Sequence, residues 1–117
     1  IQLAALLHKV NTLDPLAVPA LTAIKMGTEY GAQALSLPRV GKLQKGDKAD
    51  IVLFSMHGAE WTPCYHPASL LAYSAKSSSI DTVMVNGSLL MEKGTLTTLD
   101  EERILYEAQR VADRLTK

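Results

Sequence analysis

Apolar residues repeat with a helical period in the first third of the chain and with a strand period later. Leu3, Leu6, Leu7 and Val10 stand at i, i+3, i+4 and i+7, which predicts a helix over residues 1 to 11 with one apolar stripe. Asp14-Pro15 breaks it. Pro19, whose φ is already suited to a first helical turn, opens a second helix through Leu21, Ile24 and Met26. After Gly27, Thr28 is placed to cap a short third helix, "EYGAQALSL". Its small residues Gly31, Ala32 and Ala34 permit close approach to a neighbour, and Pro38 ends it.

From Val40 the period changes. In "VGKLQKGDKADIVLFS", Gly41 and Gly46 bracket a polar turn, and Ile51 to Phe54 form an unbroken apolar run between Asp50 and Ser55. Such a run predicts a strand buried on both faces. Residues 56 to 67 carry no period, and "PASLLAYSA" predicts one or two helical turns starting at Pro67. Ile80 to Val85 and Ser88 to Met91 are strands joined at Asn86-Gly87, the residue pair that type I′ hairpin turns prefer. Glu92-Lys93-Gly94 turns again into a short strand, Thr95 to Thr97. Thr98 with Glu101 three residues later has capping-box spacing. The closing helix sets Ile104, Ala108, Val111 and Leu115 on one face. Its acids Glu101 and Glu102 sit at the positive end, and Arg110, Arg114 and Lys117 at the negative end, as the helix dipole favours. Helices first and strands later, without βαβ alternation, predict an α+β fold.

The 117 residues make at most one domain, with 47% hydrophobic and 21% charged residues as in ordinary globular protein. Twelve basic residues balance twelve acidic ones, so no net field draws in nucleic acid or an anionic membrane. The apolar runs are far too short for a membrane span. Cys64 is the sole cysteine, which fits a cytoplasmic location. The chain starts at Ile1 and its first residues already have helical character, so the expectation is a piece cut from a longer protein.

Candidate chemistry is sparse. Gly41 to Gly46 followed by Asp47-Lys48 superficially resembles a phosphate loop. However, the Walker pattern requires Lys then Ser or Thr directly after the second glycine, and Asp47 would repel phosphate. Cys64 and His66 put a thiol and an imidazole two residues apart, but a zinc site needs three or four ligands, and His8 and His57 pair with nothing at motif spacing. A Cys–His nucleophile would need a third, orienting group. Asp47 and Asp50 flank a turn before a strand and Asp81 begins one, positions where carboxylates commonly bond local backbone. Trp61, Tyr65 and Tyr73 either line a partner surface or pack the base of the irregular loop. Read residue by residue, this is a packing module without an active site of its own.

The motifs themselves resemble a known family. "PALTAIKMGTEYGAQALSL" followed by "VGKLQKGDKADIVLF" resembles the end of the metal-dependent amidohydrolase superfamily. "HPASLLAYSAKSSSIDTVMVNGSLLMEKGTLTTLDEERILYEAQRVADRL" is similar to the carboxy-terminal part of its deaminase and chlorohydrolase branch. That branch includes S-adenosylhomocysteine/5-methylthioadenosine deaminases and atrazine- and triazine-type chlorohydrolases. The resemblance covers the whole chain and implies a parent of roughly four hundred residues, a (β/α)₈ barrel with appended strands. It divides the chain into barrel-associated helices over 1–39, strands of a composite β-sandwich over 40–97 with an irregular insert at 56–79, and a terminal amphipathic helix over 98–117.

In this family a His-x-His after the first barrel strand, histidines after the fifth and sixth and an aspartate after the eighth hold a divalent metal, zinc or iron. No position here matches those motifs. The expected site residues are therefore none: no catalytic, no cofactor-binding and no metal-ligating residue carries over. His8 sits where the family commonly has a histidine in the last barrel helix, with no ligand role implied. For the parent, the resemblance implies a small-molecule substrate of purine or triazine type and hydrolysis by metal-bound water of lowered pKa. The implied partners are the missing barrel and sandwich strands, or a second copy in a homo-oligomer. The rival from another class is a free-standing, non-catalytic α+β binding or oligomerisation module.

Overall fold

The computed structural model describes residues 1–116. Helix α1 (Gln2–Thr12) ends on Leu13, which takes a left-handed conformation with φ 52°. The loop beyond is tied back by Lys9, whose ammonium donates to the Pro15 and Ala17 carbonyls at 2.7 and 2.6 Å. Asp14 accepts from the Leu16 amide at 2.8 Å, so Asp14-Pro15 breaks the helix as expected. Helix α2 (Ala20–Met26) starts one residue after Pro19, which is its N-cap rather than its first helical residue. Helix α3 (Glu29–Ala34) follows directly. Thr28 does not cap it. Its hydroxyl instead donates backwards to the Ile24 carbonyl at 3.0 Å, closing α2.

These helices meet through alanines. α1, α2 and α4 (Pro67–Tyr73) pack against one another, and Ala5, Ala23 and Ala72 are the residues they bury. The predicted stripe of α1 is therefore on the wrong side. Leu3 and Val10 are 75% and 70% exposed, and Leu6 and Leu7 are also out in solvent. The helix is as predicted, but its large apolar residues face away from the rest of the chain. The small residues of α3 admit the incoming loop. A Cβ on Gly41 would lie 2.7 Å from the Thr28 carbonyl oxygen and 3.0 Å from the Ala32 Cβ, and Gly41 itself has φ +84°.

The strands form one antiparallel meander, β1 (Ile51–Phe54), β2 (Ile80–Val85), β3 (Ser88–Glu92) and β4 (Thr95–Leu96), in sequence order across the sheet. The α+β prediction holds. β2 and β3 turn at Asn86-Gly87, φ 49° and 80°, and β3 and β4 turn at Lys93-Gly94, φ 49° and 74°. Positive φ at both central residues is the geometry that matches the right-handed twist of a hairpin. The long connection from β1 to β2 carries a 3₁₀ turn at Ala59–Trp61, helix α4 and a second 3₁₀ turn at Ser77–Ser79.

β1 is not buried on both faces. It is an edge strand, and Val52 and Leu53 are about half exposed. A run of four apolar residues specifies a strand meant for a dry environment, but the described residues do not supply one. Helix α5 (Glu101–Leu115) has no buried residue at all. Its cap also differs from the expected Thr98–Glu101 box. Asp100 is the N-cap and accepts from the Arg103 amide at 3.0 Å, while Leu99 and Ile104 stand at the two positions of a hydrophobic staple. An aspartate two residues after Thr98 is the better cap, and the staple fixes the entry there. Lys117, expected at the negative end of the helix, lies outside the described residues.

Size shows how much is left uncovered. The Cα radius of gyration is 17.9 Å, against about 13 Å for a compact domain of this length. The surface is 9063 Å², against about 6,200 Å² for a folded monomer of this mass. The described apolar residues that are buried comprise four alanines and Trp61.

The close approach at Gly41 gives a direct test. Gly41→Ala introduces both left-handed strain and a collision with α3 backbone, and is expected to cost about 2–4 kcal/mol. Gly46→Ala has φ +93° but nothing within 4 Å, and is expected to cost only the strain, about 1–2 kcal/mol. Urea titrations followed by circular dichroism should rank them in that order.

Candidate functional site

The Gly41–Gly46 loop lines a shallow polar cleft of about 280 Å³ with Glu29, Gln33 and Arg39 of the α3 region. One of its cations is already engaged, since Lys42 Nζ lies 2.9 Å from Glu29 Oε1. The bond from Lys42 holds the Glu29 carboxyl below its ordinary value, and the same bond raises Lys42. Lys42 is about half exposed and Glu29 partly so, and solvent screening leaves the pair little net stability. With Asp47 and Arg39 also lining it, the cleft presents mixed charge.

Cys64 and His66 are both exposed in the loop before α4, and His8 and His57 are exposed elsewhere. Among the described residues no three His, Cys, Asp or Glu side chains gather closely enough to hold a metal ion. The described residues thus gather no metal site of their own. Among the described residues no helix is long and apolar enough to cross a membrane.

Of the aspartates, Asp50 makes a long-range contact in place of the local one expected, and Asp81 makes a local one. Asp50, just ahead of β1, accepts from the Asn86 amide at 2.6 Å, and the neighbouring Ala49 carbonyl accepts from Gly87 at 3.0 Å. The start of β1 therefore clamps the β2–β3 turn from 36 residues away. Asp81 accepts from the Thr82 hydroxyl at 2.7 Å, and its carbonyl accepts from the Gly94 amide. Nothing in the spacing of Asp50 and Asn86 announces their bond, because the long insert between β1 and β2 separates them by 36 residues.

The aromatic residues divide. Trp61 is 3% exposed and packs its ring on Phe54 at 6.0 Å between centroids, whereas Tyr65 is exposed. Packing the base of the loop is Trp61's role. Its Nε1 has no hydrogen-bond partner among the described residues. Beside it, the Ser79 hydroxyl donates to Glu60 Oε1 at 2.5 Å, and Ser79 is the buried polar residue of this layer. That bond, joined by a backbone one, holds the Glu60 carboxyl below its ordinary value of 4.5. It joins the two 3₁₀ turns of the irregular insert, and sequence inspection passed over both residues.

Between the helices and the sheet runs a groove of about 460 Å³, walled by Ile1, Ile24, Leu43, Val52, Phe54 and Leu71. It is apolar, with Asp50 and Lys42 at its margins.

Comparison with known proteins places this geometry. The sequence profile of the Amidohydrolase family matches residues 1–90. The chain belongs to the amidohydrolase family. It is 46% identical over 112 residues to a 5'-deoxyadenosine deaminase of Methanosarcina barkeri, covering 96% of this chain and 26% of that protein. It is 44% identical over 117 residues to a 5-methylthioadenosine/S-adenosylhomocysteine deaminase of Dictyoglomus thermophilum, covering 100% of this chain and 28% of that one. Among solved structures, a zinc-bound adenosine deaminase from Xanthomonas campestris superposes with a TM-score of 0.93 at 28% identity, over 98% of this chain and 26% of that one. An atrazine chlorohydrolase from Arthrobacter aurescens complexed with zinc gives 0.81 at 30% identity, over 93% and 24%. The chain thus spans about a quarter of the length of these amidohydrolases.

The Glu60–Ser79 bond predicts a specific pH dependence. A carboxyl whose pKa is depressed on folding contributes stability above its ordinary value and loses it as pH falls through the folded value. Glu60→Gln should therefore lower stability relative to the parent above pH 4.5, with the difference shrinking as the pH drops below that. Chemical denaturation over a pH series measures it.

Proposed function

We propose that this chain is the closing portion of a metal-dependent amidohydrolase that hydrolyses the exocyclic C–N bond of an adenosine-type nucleoside. The observation that carries this reading is the 44–46% identity, over nearly the whole chain, to deaminases of 5'-deoxyadenosine and of 5-methylthioadenosine/S-adenosylhomocysteine. The adenosine deaminase structure superposes more closely than the atrazine chlorohydrolase, with TM-scores of 0.93 and 0.81, so C–Cl hydrolysis is the less favoured chemistry. On this reading residues 1–39 brace the last part of a (β/α)₈ barrel, and residues 40–97 complete a β-sandwich with strands supplied by the rest of the enzyme. The divalent metal, zinc or iron, is held elsewhere in that enzyme, and no step of the reaction belongs to a residue of this chain.

The uncovered surface supports the same reading. The excess over a compact monomer, roughly 2,800 Å², exceeds the ~800 Å² that one partner gives to a standard interface. It is the size of an obligate contact. The outward stripe of α1 and the half-exposed β1 are faces suited to that contact, and they disfavour a free-standing module.

Two assays test the proposal. The chain alone, supplied with zinc, iron or manganese, is expected to release no ammonia from 5'-deoxyadenosine or 5-methylthioadenosine and no chloride from a chlorotriazine. Turnover would contradict it. Exchanging these residues for the matching segment of the Methanosarcina barkeri deaminase should give an active chimera. A folded but inactive chimera would count against the assigned role.

A further inference from the structure

We propose that Asn86-Gly87 is a site of spontaneous deamidation that the residues ahead of β1 hold shut. This goes beyond the proposed reaction and does not depend on it. An asparagine followed by glycine can react with its own backbone. The Gly87 amide nitrogen attacks the side-chain carbonyl carbon of Asn86 and closes a five-membered succinimide. The Cγ–Nδ2 bond breaks, and the side-chain nitrogen leaves as ammonia, carrying the proton of the Gly87 N–H. Water then opens the ring at either carbonyl. One opening gives aspartate, the other isoaspartate, in which the main chain runs through the side-chain carbon. Glycine favours the attack because no side chain crowds its nitrogen.

Both residues are exposed, and a Cβ placed on Gly87 would meet nothing within 4 Å. Bulk therefore does not protect the turn. Two hydrogen bonds do. The Gly87 amide, the attacking group, donates to the Ala49 carbonyl at 3.0 Å, and the Asn86 amide donates to Asp50 Oδ1 at 2.6 Å. Ring closure has to rotate the peptide between Asn86 and Gly87. The Gly87 bond resists that rotation, while the Asn86 bond holds the preceding peptide still, with Asn86 at φ 49°.

The latch sits where it releases most easily. Ala49 and Asp50 lead into β1, an edge strand whose Val52 and Leu53 are about half exposed. Such an edge opens locally at a lower free energy than the whole fold. Deamidation therefore records each release of β1, and it cannot be undone by reclosing. Either product sets a new carboxylate beside Asp50. Isoaspartate also adds a backbone carbon to the two-residue turn that places Val85 opposite Ser88.

Peptide mass mapping of the full chain during incubation at neutral pH, with enzymatic methyl labelling of isoaspartate, measures the rate at Asn86. The parent is expected to react at least about tenfold more slowly than the same chain in denaturing urea, since the Gly87 bond must break first. Asp50→Ala removes a charged acceptor. It should react about tenfold faster than the parent held in enough urea to match the variant's circular dichroism, a comparison that cancels general loosening of the fold. Asp50→Asn keeps an acceptor oxygen and should fall between the two, and it decides the matter if Asp50→Ala is unfolded. The proposal is overturned if the parent reacts as fast as in denaturing urea. It is equally overturned if the folded Asp50 variants react no faster than the matched parent.

Discussion

The constraint that shapes this chain is the placement of its apolar surface. Where the elements touch one another they do so through alanines, Ala5, Ala23, Ala32 and Ala72, with Trp61 the one large apolar side chain buried among the described residues. Alanine contacts bring helices close but remove little area from water, and apolar stabilisation scales with area at about 25 cal/mol per Å². The leucines and valines that would supply that area lie on the outside of α1, along β1 and down one face of α5. The sequence has the hydrophobic content of a globular domain but arranges it for surfaces that the described residues do not close.

What holds the interior in place is mainly polar and backbone geometry. Asp50 clamps the β2–β3 turn, Lys9 staples the loop after α1, and the Ser79–Glu60 bond joins the two 3₁₀ turns. Gly41 lets the approach to the sheet pass against α3 where any side chain would collide. These interactions set the relative positions of helices and strands without a large core. That arrangement suits a segment whose shape must match a neighbour, and the superposition on amidohydrolase structures fits it.

Local structure was legible in the sequence wherever a single residue or period decides it. The Asn86-Gly87 turn, the Pro67 helix start and the amphipathic closing helix were all readable, because turn chemistry and helical spacing act within a few residues. Which face of a helix is inside was not. The period of Leu3, Leu6, Leu7 and Val10 shows that they share a face, but only the tertiary neighbours determine whether that face is covered here. Capping failed by a small margin: Thr98–Glu101 has the right spacing, and Asp100 competes successfully from two residues further on. The Asp50–Asn86 and Glu60–Ser79 bonds were not legible, since they join residues brought together only by register and by the path of the insert.

The central claim is that these elements are built to be completed by further protein, and differential scanning calorimetry of the dilute chain tests it most directly. A self-sufficient domain of 117 residues would unfold in one sharp transition with a heat-capacity increment of about 1.4–1.8 kcal/mol/K. The account predicts a broad transition with an increment well below that range, because much of the apolar surface is already hydrated before unfolding. A sharp monomeric transition with the full increment would contradict it.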